Sequence, residues 1–289
     1  MNKIDEFLNY IENEKRYSPN TVDGYKRDLN SFFCYIKKEN TEIIDELTIR
    51  NYLAHLYVLN LNKKTISRKI STLKSYYKFL NKKYNVKNDF MSEIRCPKKD
   101  NLLPDMIYKE ELEKILSYTP NGKFCYRNKA IIFLLYSSGV RVSELCNITM
   151  NSINIEDRYI IVTGKGNKTR VCPFSKKCKD AIENYLHFER NTCSKNDNNY
   201  LFINKYGDKI TTRSIESILS KISLELFGNT KLHPHIFRHT YATNLLNNGA
   251  DLRTVQELLG HSSLITTQIY THLAKEEINN IYEVSHPRG

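Results

Sequence analysis

Between His233 and Leu273 the sequence HPHIFRHTYATNLLNNGADLRTVQELLGHSSLITTQIYTHL gathers groups able to act on a phosphate. Five of the chain's eight histidines lie in it, together with Arg238, Arg253 and Tyr270. Metal-free chemistry at a phosphate needs a nucleophile, cationic donors for the phosphoryl oxygens and an acid/base group. All three types occur here. The rest of the chain must add further cationic donors and a surface that holds a polyanion.

Each candidate has an ordinary structural explanation beside the chemical one. Arg141 follows a glycine that ends an apolar run and precedes VSEL, so its fork can point into a cleft or pair with Glu144 three residues on. Lys165 lies between two glycines at the tip of a hairpin, free to reach outward or simply to be solvated; the Walker phosphate-loop pattern is absent. His235 and Arg238 are three apart and share a helix face. His235 and His239 have the spacing of a metal pair, but no neighbouring carboxylate or cysteine completes a ligand set, and no metal is expected. His261 follows a helix-stopping glycine at a corner between helices. Tyr270 is one of 20 tyrosines, most of which must serve packing.

The elements that would position these groups fall into two blocks. The first is helical. Ser18-Pro19 reads as an N-cap with proline at the first helical position, followed by Val22, Tyr25, Leu29, Phe32 and Ile36 on one face. Thr48 precedes a helix through Tyr52, Leu53 and Leu56. Thr65 opens another, with Ile66, Ile70, Leu73, Tyr77 and Leu80 inward and Lys64, Arg68, Lys78 and Lys82 elsewhere. From Ile94 the periodicity fails, and two prolines mark Cys96 to Pro104 as a linker. The second block mixes helices (Glu110–Ser117, Lys129–Ser138, Lys176–Glu189, Thr212–Leu226, Pro234–Asn247, Asp251–Leu259, Leu264–Leu273) with short strands at Ile153–Ile155, Tyr159–Thr163 and Thr169–Val171. The fold class expected is mainly α, with an N-terminal helical domain (1–95), a linker (96–104) and an α+β domain (105–289) carrying a small antiparallel sheet.

Charge indicates the partner. The chain has a formal net charge of +12, and residues 63–99 hold 12 basic residues against two acids, Asp89 and Glu93. Such a patch attracts nucleic acid, with a lysine-rich solubilising surface as the plain alternative. Lys64, Arg68, Lys69 and Lys74 are the expected DNA contacts. Seven scattered cysteines without a CxxC pair read as reduced thiols. With neither a signal-like leader nor an apolar run of bilayer length, the chain is expected to be cytoplasmic, with no membrane partner.

As a set, the segments GVRVSEL, TGKGNKTRVCP, HPHIFRHTYATNLL and LLGHSSLITTQIYTHL resemble the catalytic boxes of the tyrosine recombinase (phage integrase-like) family, in order and at fitting distances. YSPNTVDGYKRDLNSF and ISRKISTLKSYYKFL resemble its N-terminal, core-binding domain, and the chain's length and terminal HPR resemble the Xer-type subgroup. Departures are slight: Phe237 stands where leucine is common, and Asn88-Asp89 where an Asn-Pro pair is frequent. The resemblance implies Tyr270 as nucleophile, Arg141 and Arg238 as phosphate-binding arginines and His235 as acid/base. It implies Lys165 as the acid for the leaving oxygen and His261 as a donor to the scissile phosphate.

It also implies a two-domain clamp on duplex DNA with paired inverted half-sites, no cofactor, a homo- or heterotetramer on two sites, and a regulator of the FtsK translocase kind. The segment after Lys275, with Ile278, Ile281 and Tyr282 on one face, would dock on a neighbour. Chromosome-dimer resolution, plasmid resolution and mobile-element integration or excision all remain open. Two other readings use the same fold: a non-catalytic architectural DNA binder, and a type IB topoisomerase-like relaxing enzyme. Binding without adduct formation would favour the first, and relaxation of plasmid lacking a recombination site the second.

Overall fold

The computed structural model describes residues 3–39, 44–86, 90–97, 106–164, 168–193 and 198–260. The chain divides into two compact units, Met1–Leu102 and Leu103–Gly289, the boundary falling inside the stretch read as a linker.

The first unit is helical: α1 (Lys3–Asn9), α2 (Pro19–Lys38), α3 (Glu46–Val58), α4 (Lys63–Tyr84) and the single turn α5 (Phe90–Glu93). Ser18 caps α2, its Oγ accepting from Thr21 N at 3.3 Å, and Pro19 occupies the first position. The expected faces are the buried ones: Val22, Leu29, Phe32 and Ile36 from α2 meet Ile66, Ile70, Leu73, Tyr77 and Leu80 from α4, with Tyr25 partly covered. Two helix starts differ from the sequence expectation. Asp45 caps α3 and Asn62 caps α4; Thr48 and Thr65 lie one turn inside, donating their amides to those side chains at 2.8 Å. Asp and Asn are stronger caps than threonine. α1, which the sequence reading leaves out, contributes Phe7 and Leu8 to the core.

Asp28, a carboxylate on the inner face of α2, is 3% exposed. A buried carboxylate must be paired. Arg68 donates to its Oδ2, Thr72 donates to the same oxygen at 3.0 Å, and Lys69 Nζ stands 3.4 Å from its Oδ1. α2 and α4 are therefore joined by a charge cluster as well as by apolar packing.

The second unit contains α6 (Lys109–Ser117), α7 (Cys125–Ser138), α8 (Val142–Asn147), strands β1 (Ile153–Asn154), β2 (Tyr159–Thr163) and β3 (Thr169–Pro173), then α9 (Lys176–Tyr185), the short α10 (Asn191–Cys193), α11 (Thr212–Phe227), α12 (Pro234–Asn247) and α13 (Leu252–Leu259). The strands form an antiparallel sheet in the order β1-β2-β3, with Ile160 opposite Cys172 and Val162 opposite Arg170. α7 runs through the centre of the core, where Ala130, Ile131, Leu134 and Leu135 are fully buried, and α9 and α12 pack against it. Its C-terminus turns at Gly139 with φ +58, a conformation that glycine adopts without strain. A methyl group added there would lie 2.4 Å from the ring of Tyr241. That glycine therefore satisfies both a turn and a close approach. The expected helix Leu264–Leu273 lies outside the described residues.

Candidate active site

The site is organised around the C-terminal end of α13. A helix leaves its last carbonyls without intrahelical donors, and the partial negative charge there favours cations. Three arginines from three different elements meet these carbonyls. Arg170, from β3, donates its Nε to Leu258 O at 2.9 Å. Arg238, from α12, donates Nη2 to Leu259 O. Arg141, the residue before α8, donates Nη2 to Gly260 O at 3.5 Å. The second nitrogen of the Arg238 fork donates to Gly139 O at 2.6 Å, the carbonyl exposed by the left-handed turn after α7. Arg238 thus ties the end of α7 to the end of α13.

Glu144 balances part of this charge. Its carboxylate accepts both Nη groups of Arg170 at 2.9 and 2.8 Å, Nη1 of Arg141 at 2.8 Å and the backbone amide of Arg141 at 2.8 Å. Burial opposes ionisation of Glu144, yet the Arg170 fork and then Arg141 outweigh it, holding the carboxyl at a pKa of about 2. Arg238 is pushed the other way, to about 10, first by burial and then by the like charges of Arg141 and Arg170. Three guanidiniums against one carboxylate leave a surplus of positive charge around a buried arginine. An anion at this place would relieve it.

Arg141 shows the structural alternative that its sequence context allows. It pairs with Glu144, and about a third of its side chain stays exposed. His235 is exposed in the first turn of α12, one turn before the buried Arg238. His233 caps that helix, its Nδ1 accepting from Ile236 N at 3.2 Å, and Pro234 follows at the first position. Lys165, His261 and Tyr270 lie outside the described residues. Two of their neighbours in sequence are described: Gly164 closes β2, its amide donating to Lys168 O at 2.8 Å, and Gly260 closes α13 with φ +67.

Of the expected DNA contacts in the first unit, Lys64 is exposed, Lys74 is half-buried, and Arg68 keeps half its side chain in solvent while bonding Asp28. Lys69 differs from expectation. It is 8% exposed and its ammonium faces Asp28, so the structure commits it to an internal carboxylate rather than a surface phosphate. Arg170, as a second partner of Glu144, is what sequence reasoning missed. The signal was present: Arg170 sits in the strand TRVCP, whose last four residues are all buried, and an arginine in such a strand requires a buried partner.

Residues 105–277 match the phage integrase family, and residues 4–83 match the phage integrase N-terminal SAM-like domain. The chain belongs to the phage integrase family. Among its relatives, tyrosine recombinase XerC of Oceanobacillus iheyensis is 40% identical over 296 residues, covering 99% of this chain and 96% of the relative. Tyrosine recombinase XerC of Staphylococcus haemolyticus is 40% identical over 287 residues, covering 98% and 96%. Among solved structures, the XerH site-specific recombinase bound to its difH substrate before cleavage is 27% identical with a TM-score of 0.65, over 91% of this chain and 80% of that one. The mainly helical fold with a small antiparallel sheet is that of this family.

Proposed function

We propose that the chain is a site-specific DNA recombinase that cuts and rejoins duplex DNA through a covalent 3′-phosphotyrosyl intermediate, with Tyr270 as nucleophile. The observation that carries this reading is the convergence of Arg141 and Arg238 on the carbonyls of residues 259 and 260, immediately before His261. Two guanidiniums with a surplus of positive charge suit the non-bridging oxygens of a phosphodiester as phosphorus becomes five-coordinate, and preorganised donors in a desolvated site act strongly. Full-length similarity to proteins named tyrosine recombinases supports the same reading.

The chemistry balances without an external energy source. A free phenol titrates at about 10, so Tyr270 must lose its proton to a base as its oxygen attacks phosphorus. His235, exposed at the start of α12, is assigned that acid/base role. The bond to the 5′ oxygen breaks, and Lys165 supplies the proton that lets it leave as an alcohol. His261 adds a donor to the scissile phosphate. Attack of a 5′ hydroxyl from a second duplex on the phosphotyrosine reverses the step and exchanges strands. The partner is duplex DNA with paired inverted half-sites, gripped by the helical domain (1–95) and the catalytic domain (105–289), and four protomers act on two sites. Lys64, Arg68 and Lys74 supply phosphate contacts from the first domain.

The test is a nicked duplex from which the cleaved end diffuses away, trapping the adduct. Wild type accumulates a covalent protein–DNA product and Tyr270→Phe forms none. An adduct at undiminished yield in Tyr270→Phe would remove Tyr270 from the nucleophile role. Lys165→Ala cleaves more slowly, and a normal rate would remove it from the acid role.

A further inference from the structure

Arg170 is an arginine of the cluster whose three nitrogens all donate to protein groups. Its side chain is 7% exposed. What it touches is informative. Through Glu144 it holds Arg141, whose Nη1 and backbone amide bond the same carboxylate. Through Nε it holds the last turn of α13, and its guanidinium lies so close to Gly260 that a methyl group there would stand 2.9 Å from Nη1. On the sheet side, Arg170 pairs with Val162, and a methyl group at Gly164 would stand 3.4 Å from Glu144 Oε1 and 3.7 Å from Arg170 Nη1. One buried ion pair therefore meets Arg141, the residue before Lys165 and the residue before His261.

We propose that Arg170 is a positioning residue for strand cleavage, which with Glu144 forms a rigid fork that fixes Arg141 and the two chain ends leading into Lys165 and His261. This rests on the recombinase reading above. A planar guanidinium suits the place: it gives two parallel bonds to one carboxylate and a third, divergent bond to a carbonyl, which an ammonium cannot reproduce. Arg170 acts by placement, so its loss reduces the rate of the chemical step and leaves the grip on DNA, spread over many phosphates, nearly unchanged.

The experiment compares wild type, Arg170→Lys and Arg170→Met in the full chain, with Ile182→Val as a control that loosens the same core away from the fork. Affinity for an intact duplex site is measured beside the single-turnover rate of cleavage of the nicked duplex at saturating protein, well below every variant's melting temperature. Arg170→Met is expected to bind DNA within about threefold of wild type. Its cleavage is expected to slow by about 10- to 100-fold. Arg170→Lys, which keeps the buried charge and hence a measurable fold, recovers part of that rate, and Ile182→Val cleaves as wild type does. Wild-type cleavage by Arg170→Met, or affinity and rate falling in step in both Arg170 variants, would overturn the assignment. A wild-type protein that forms no adduct at all would instead remove the recombinase reading beneath it.

Discussion

Replacing Glu144 by glutamine tests the electrostatics of the site without changing its shape. The carboxylate is buried and takes four donors, and its pKa falls from the ordinary 4.5 to about 2. That difference corresponds to about 3 kcal/mol of folding free energy for the catalytic unit at neutral pH. Removing one partner of a buried ion pair costs a similar amount, about 3–5 kcal/mol, because the guanidinium left behind is uncompensated. The sign follows from the depressed pKa. The contribution is complete above 4.5, shrinks as pH falls below it and is gone near 2. Hydrogen exchange of the full chain, read on peptides covering 169–173 and 252–259, reports the free energy of opening of this unit alone. Glu144→Gln should lower it by about 3 kcal/mol at pH 7 and by clearly less at pH 3. A loss below about 1 kcal/mol at pH 7, or one that does not change with pH, would refute the reasoning.

Asp28→Asn leaves Arg68 and Lys69 facing a neutral amide, and the first unit should lose about 3 kcal/mol by the same exchange measurement on peptides from α2 and α4. Gly139→Ala forces a side chain into a left-handed turn against the Tyr241 ring; thermal melting should show a loss of at least about 2 kcal/mol, and an unchanged melting temperature would disprove the packing argument. Lys64→Ala should weaken DNA binding and lower the log–log salt slope by about 1, whereas Lys69→Met should leave the slope unchanged and destabilise the first unit. Sulfate should raise the melting temperature of wild type more than that of Arg238→Met, since the surplus charge around Arg238 attracts a tetrahedral anion; an equal rise in both would place the anion elsewhere.

Local pattern carried the sequence reading as far as local physics reaches. The inner faces of α2 and α4 follow from helical spacing, and the start of α12 from Pro234, because periodicity and proline preference are settled within a few residues. Boundaries slipped where two residue types compete for one cap, as Asp45 and Asn62 did with the threonines three residues on. The buried charges were the main omission. Glu144 and Arg170 are 26 residues apart, and Asp28 is 40 from Arg68 and 44 from Thr72. No window of sequence pairs such groups, so Lys69 looked like one more surface lysine and Arg170 like part of a strand. Arg141 and Arg238 were legible as chemistry only as members of a set; their meeting at the end of α13 is a tertiary fact.

The most direct measurement on the whole account is the identity of the amino acid bonded to DNA. Trapped adduct from the nicked duplex is digested with protease and nuclease, and the nucleotide-bearing peptide is sequenced by mass spectrometry. A nucleotide 3′-phosphate on Tyr270 is the result expected. The same mass on another side chain, or a peptide carrying a 5′-linked phosphate, would contradict it.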